Sequence, residues 1–197
     1  MIYNRKETHL TVLPEKEWIS ANTMQEETRL FGTLPFLLYT VRQVALFVFR
    51  ISFLHSDRLP GHRLHIFHLA MVVLYLTGDK TVTPASVAEY AESAGYSVPG
   101  SGSSWTLISE GCEHYGIHAE EVPMDEDRIK AKLDEGCLII INVGPGDFTD
   151  SGHFITIIGY DRDGFIINDS NSRTNSKKRW SYEQLSRQMR NLWAMYN

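Results

Sequence analysis

The chain has 197 residues, 43% of them hydrophobic and 22% charged, which is the length and composition of a globular domain with a full core. Its formal net charge of -5 gives no reason to expect a nucleic acid or an anionic membrane as a partner. Two cysteines at distant positions do not form a disulfide framework. Residues 1–9 have no long apolar run after their basic pair, so we expect no secretory signal, and the localisation stays open.

The segment from Phe36 to Leu54 is apolar enough to resemble a membrane span. Arg42, Gln43 and Arg50 interrupt it. An arginine at the centre of a span costs about 2.5–3.5 kcal/mol on the insertion scale. We therefore predict a buried helix or strand here and no membrane span.

Four histidines follow closely, at His55, His62, His65 and His68. The last three fall three residues apart and could share one side of a helix. Zinc favours histidine, but a site needs three or four ligands of defined geometry, and no Cys, Glu or His-Glu-x-x-His pattern accompanies these residues. The prediction is that there is no metal and no other cofactor.

End signals predict two helices in the middle of the chain. Thr83 is a typical N-cap, Pro84 suits the first helical position, and Gly95 ends a helix that runs through Ala94. Asp125 caps the next helix, whose apolar residues lie four positions apart on one face.

The two cysteines both lie beside apolar runs. Cys112 is within residues 105–115, which are predicted to form a short helix closed by Gly116, and Cys137 opens the strand 137–143. Free cysteines are among the most buried residues. We therefore assign the role of a nucleophile to neither.

An apolar hairpin carries the residues that indicate chemistry. Residues 153–160 form one predicted strand, residues 161–164 a turn with glycine at its last position, and residues 165–168 the returning strand. Antiparallel pairing would bring His153, at the start of the first strand, close to Asp169, after the end of the second. A carboxylate beside an imidazole fixes its tautomer and orientation, as a histidine base requires. His153 and Asp169 are the predicted catalytic residues.

After the hairpin, residues 171–179 are predicted to be a polar, basic surface turn. Ser181 and Gln184 form a capping box for a closing helix. Three apolar residues follow its helical period, namely Leu185, Met189 and Leu192. Helices precede strands along the chain, which favours an α+β fold with a helical half packed on an antiparallel sheet.

The same residues resemble a known family. Ser-Gly-His-Phe at 151–154, Gly-Tyr-Asp-x-Asp-Gly at 159–164 and Asn-Asp-Ser at 168–170 are similar to the C-terminal half of papain-like cysteine peptidases of the bacteriocin-processing, double-glycine-leader type. The resemblance continues upstream through four segments, at residues 69–78, 83–91, 99–105 and 143–146. It implies a papain-like fold, a Cys-His-Asp triad and a peptide or protein substrate. Members often work at or outside the bacterial surface.

The family's nucleophile is the feature that this chain lacks. The family pattern reads Gly-Cys-Gly-Pro-Thr-Ser-apolar-Ala, whereas residues 63–70 read Arg-Leu-His-Ile-Phe-His-Leu-Ala. By this spacing the nucleophilic cysteine should stand where Leu64 stands, and leucine has no atom that can attack a carbonyl. The resemblance therefore implies a peptidase-like domain that is inactive as written, or a non-catalytic module that binds a peptide in the old cleft.

We divide the chain into an N-terminal segment of uncertain structure, 1–68, and a peptidase-like domain, 69–197. Reading plausible codons for residues 63–66 one base later gives Gly-Cys-Thr-Ser, which is similar to the family's nucleophile loop. One hypothesis is therefore that part of the segment between about Val41 and His68 was translated in a shifted frame. Genuine divergence of a non-catalytic domain is the other, and the coding DNA around residues 40–70 would distinguish them.

Overall fold

The computed structural model describes residues 64–98, 102–103 and 105–197. The α-helices are α1 (Leu64–Thr77), α2 (Pro84–Ser93), α3 (Thr106–Ser109), α4 (Glu126–Asp134), α5 (Arg173–Lys177) and α6 (Tyr182–Ser186), and a 3-10 helix spans Gly111–Tyr115. The strands are β1 (Ser97–Val98), β2 (Gly102–Ser103), β3 (His118–Glu121), β4 (Leu138–Val143), β5 (His153–Asp161), β6 (Gly164–Asn168), β7 (Arg179–Trp180) and β8 (Met189–Tyr196).

Six of these strands form one antiparallel sheet in the order β3-β8-β4-β5-β6-β7. The sheet lies between two apolar cores. One core joins α1 and α2 to side chains such as Ile140 and Trp193, and the other joins α4 and α6 to side chains such as Ile139 and Ile141. Strand β4 is buried at every position because successive side chains alternate between the two cores. The architecture agrees with the predicted α+β class.

Local signals in the sequence explain where the helices begin and end. The Thr83 hydroxyl accepts a hydrogen bond from the Ser86 backbone N–H at 3.1 Å, which caps α2. The Asp125 carboxylate accepts one from the Arg128 N–H at 3.0 Å and caps α4. Gly116, after the 3-10 helix, has a φ of +72°, as predicted for a helix-ending glycine.

The predicted closing helix is wrong beyond its first turn. The capping box of Ser181 and Gln184 is present, but α6 has only five residues, and Met189 to Tyr196 form β8. This strand pairs with both β3 and β4. The helical spacing was misleading because a strand covered on both faces shows no simple alternation of apolar and polar residues.

Two further predictions need correction. Residues 171–179 are not wholly a surface turn, because α5 and the first residue of β7 lie within them. The stretch 105–115 is not one helix but a short α-helix followed by a 3-10 helix.

No helix in the part of the chain that the structure describes is long and apolar enough to cross a membrane. Phe36 to Leu54, His55 and His62 lie outside the described residues. The division into 1–68 and 69–197 stays a prediction.

Gly164, which opens β6, sits where a side chain cannot fit. Its φ is +132°, and a Cβ atom built there would lie 2.6 Å from the Trp180 carbonyl oxygen on β7. Since this contact is with backbone, no side-chain movement can relieve it. The close approach of β7 to the β5–β6 hairpin therefore depends on glycine.

We predict that Gly164→Ala lowers the free energy of unfolding by about 2–3 kcal/mol, measured by urea denaturation, because it combines backbone strain with a steric clash. Gly152→Ala is the matched control, since the nearest atom to its added Cβ would be 4.0 Å away. The control should change stability by less than about 0.5 kcal/mol. Equal losses in the two variants would contradict this account of β7.

Candidate active site

The structure brings His153 and Asp169 together, as antiparallel pairing of the hairpin predicted. The His153 Nε2 atom lies 2.8 Å from Asp169 Oδ1, and both residues are 3% exposed. The register places Thr156 opposite Asn168, so that the start of β5 and the residue after β6 meet at one end of the sheet. Their part in catalysis stays a prediction.

The contact with Asp169 fixes the tautomer of a neutral His153. An ionised carboxylate only accepts hydrogen bonds, so Nε2 carries the proton and Nδ1 carries the lone pair. Within the described part of the chain, the buried Nδ1 atom has no hydrogen-bond partner. A buried nitrogen in this state is an acceptor that none of the described residues satisfies. This is the atom through which the imidazole could take up a proton.

The Asp169 carboxylate is held by three donors. Besides His153, the Asn171 backbone N–H donates to Oδ1 at 2.8 Å, and the Asn175 side-chain Nδ2 donates to Oδ2 at 2.9 Å. Burial raises the pKa of Asp169, but the hydrogen bonds from His153 and Asn175 outweigh it and hold this pKa below its usual range. Asp169 is therefore ionised near neutral pH.

His68 of α1 packs beside the pair. Its ring meets the His153 ring edge to face, with 6.0 Å between centroids. Its Nδ1 atom is 2.8 Å from the Thr156 hydroxyl and its Nε2 atom 3.0 Å from the Ser170 hydroxyl. Burial, with repulsion from His153, lowers the pKa of His68 to about 3. His68 is thus a neutral residue that joins α1 to the hairpin.

The histidine cluster of the sequence does not assemble as a metal site within the described residues. Both ring nitrogens of His68 contact hydroxyls, and the His65 ring lies against Phe154 with 5.4 Å between centroids. Across residues 64–98, 102–103 and 105–197, no group of three His, Cys, Asp or Glu side chains could hold a metal ion.

Both thiols are buried in apolar surroundings. Cys112 belongs to the core on the α1 side, and burial raises its pKa to about 11. Cys137 belongs to the opposite core, and burial raises its pKa as well. A thiol must ionise to act as a nucleophile, and raised pKa values oppose ionisation near neutral pH. Leu64, at the predicted nucleophile position, is the first residue of α1.

Comparison with known proteins decides the family. The family model described as Peptidase_C39 like family matches residues 68–197. The chain belongs to this family. The match confirms the predicted resemblance to papain-like peptidases and, with the architecture above, the predicted fold class.

Among solved structures, the chain is similar to a candidate C39-like peptidase from Bacillus anthracis, with 14% sequence identity and a TM-score of 0.44. The match covers 70% of this chain and 91% of the Bacillus protein. No curated protein matches the sequence.

Sequence reasoning missed several residues of the site. Asn175 lay in a stretch interpreted as a solvated turn, and His68 was considered only as a metal ligand. Ser170 entered only as part of the Asn-Asp-Ser motif and Thr156 not at all, because a single hydroxyl acquires a partner only through tertiary packing. The hydroxyl–imidazole contacts of His68 link positions 88 and 102 residues apart.

The buried His68 makes stability depend on pH. Its pKa is about 3 in the folded protein and about 6.5 when unfolded, so the unfolded state binds more protons below pH 6.5. Stability is therefore lost progressively as the pH falls from 6.5 towards 3. We predict that the stability difference between this protein and His68→Gln shrinks by about 2 kcal/mol from pH 7 to pH 5. Urea denaturation at both pH values measures it, and a constant difference would contradict a neutral buried His68.

Proposed function

We propose that this C39-like domain does not hydrolyse peptide bonds, because it keeps a base and its orienting carboxylate but has no nucleophile. One observation carries the proposal: the Nδ1 atom of His153 is buried and receives no hydrogen bond from the described residues, while Asp169 contacts Nε2 at 2.8 Å. In a thiol peptidase this lone pair would take the proton of the cysteine. The chain has only two cysteines, and both are buried in the apolar cores.

The chemistry of the remaining groups supports inactivity. Peptide cleavage by a thiol requires a covalent bond between sulfur and the substrate carbon, after which the imidazole protonates the leaving amine. Leucine at position 64 cannot form that bond. A base acting on water alone contributes about 10²–10⁴-fold, whereas enzymes typically reach 10⁶-fold or more. His153 is also buried, which limits its access to a substrate carbonyl and to water.

A peptide remains the proposed ligand, because the family is named for peptidases. The second candidate is a module that binds a peptide without cutting it. The site's intact packing favours this reading: Asp169 keeps its donors and His68 keeps both contacts although the nucleophile is missing. Titration with a fluorescent peptide that carries a Gly-Gly sequence would measure binding, and mass spectrometry of the same mixture would detect cleavage. Cleavage would overturn the proposal, and an absence of binding would remove the second candidate.

We predict that a peptidyl epoxide inactivator of cysteine peptidases labels this domain only when a cysteine stands at position 64. The chain as it stands should not be labelled. Replacing residues 63–68 by Gly-Cys-Gly-Pro-Thr-Ser should permit labelling, detected as a mass increase of the intact protein. His153→Ala in that background should slow it by about 10²–10⁴-fold, because the base is lost.

The matched control carries Gly-Ser-Gly-Pro-Thr-Ser in the same place and differs from the labelled protein by one atom. It should stay unlabelled, because hydroxyl oxygen is a far weaker nucleophile than a thiolate. If the unreplaced chain were labelled and Cys112→Ser or Cys137→Ser abolished this, a buried cysteine would be the nucleophile and the proposal would be wrong.

A further inference from the structure

The carboxylate of Asp169 would be free to rotate if only His153 held it. The terminal torsion of an aspartate is broad, since it turns an sp² group on an sp³ carbon. Its Oδ1 atom faces His153 Nε2 and the Asn171 N–H. Its Oδ2 atom accepts a hydrogen bond from the Asn175 side-chain amide at 2.9 Å. Donors on both oxygens fix the plane of the carboxylate.

We propose that Asn175 is a positioning residue, which holds the Asp169 carboxylate in the orientation that His153 requires. The direction of its amide follows from chemistry: a carboxylate oxygen only accepts, so the NH₂ group must face Asp169. Asn175 acts through Asp169, whose Oδ2 atom its side chain contacts. The inference rests on the proposed function only in taking His153 as the retained base.

Hydrogen bonds hold both the backbone N–H and the backbone carbonyl of Asn175. The Ser172 hydroxyl accepts a hydrogen bond from the Asn175 N–H at 3.2 Å, which caps α5. The Asn175 carbonyl accepts one from the Trp180 indole N–H at 3.0 Å. Trp180 is 3% exposed, and its ring lies 4.5 Å from the Phe148 ring, between centroids. These contacts use main-chain atoms of Asn175, so they survive a change of its side chain.

Phe148 belongs to the loop that leads into His153. Gln188 holds the same loop, because its Oε1 atom accepts from the Asp147 N–H at 2.8 Å and its Nε2 atom donates to the Asp147 carboxylate at 2.9 Å. Trp180 therefore connects the segment that holds Asp169 with the loop that precedes His153. This shared support holds His153 and Asp169 in fixed positions relative to each other.

A neighbouring residue provides a matched control. The Ser176 hydroxyl accepts a hydrogen bond from the Asp169 N–H at 2.9 Å and donates one to the Asp169 carbonyl oxygen at 3.2 Å. It holds the backbone of Asp169 but not the carboxylate. Removal of the Ser176 hydroxyl should loosen the backbone at Asp169 and leave the donor to Oδ2 in place. Removal of the Asn175 side chain should take the donor from Oδ2 and leave the backbone contacts in place.

The test follows the titration of the Asp169 carboxyl carbon by NMR in the chain with Leu64 in place. Among the described residues, the titratable groups that face this carboxylate are His153 from β5 and His68 from α1, and both stay unchanged. Asn175→Ala should raise the proton affinity of Asp169 about tenfold, because a hydrogen bond to a charged group is lost. Asn175→Asp, which has the same shape but replaces the donor by an acceptor, should raise it further. Ser176→Ala should change it by less than about threefold.

The inference would be overturned if Asn175→Ala left the titration unchanged, or if Ser176→Ala shifted it equally, since the role would then be structural. Asn175→Asp keeps the test valid if the smaller side chain disturbs folding. In the background with the cysteine loop restored, Asn175→Ala should slow labelling about tenfold, because a misplaced base is less effective. A restored loop that was never labelled would count against the proposed function and would leave the titration result standing.

Discussion

The hydrogen bond between His153 and Asp169 is the interaction on which the rest of the site depends. Both side chains are almost fully buried, and a carboxylate removed from water is costly unless donors replace its hydration. Here the donors are an imidazole, a backbone amide and the Asn175 amide. The pair thus requires its surroundings to be ordered, and α5, Trp180 and α1 provide that order.

The sheet makes this arrangement possible because it is covered on both faces. The alternation of β4 and β5 between two cores fixes the register of the hairpin, since a shift of one residue would exchange the two sets of side chains. His68 then attaches α1 to the end of that hairpin through Thr156 and Ser170. The helix that begins at Leu64 and the strand that begins at His153 are therefore held together by a buried polar contact as well as by apolar packing.

The parts of the fold that could be predicted from sequence are those with local causes. Thr83, Asp125 and Ser181 cap helices through contacts within three residues, and the hairpin is defined by its turn. Strand β8 could not be predicted, because its place between β3 and β4 depends on distant partners that hide any alternation. Asn175 and His68 were missed for a similar reason: their partners lie far away in sequence or in an unexpected short helix. The prediction that Leu64 stands at the position of the nucleophile came from the family resemblance, and no local pattern would have indicated it.

Under the proposed function, His153 is a base that Asp169 orients, and the cysteine that it would activate is absent. The central question is therefore which ring nitrogen of a neutral His153 carries the proton. Nitrogen NMR of the neutral form of the His153 side chain measures this tautomer directly, since a ring nitrogen has different shifts when protonated and when bare. We expect a proton on Nε2, held by Asp169, and a bare Nδ1 without a hydrogen-bond donor. A proton on Nδ1 with a bare Nε2 would contradict the account, because the carboxylate would then not be orienting the ring.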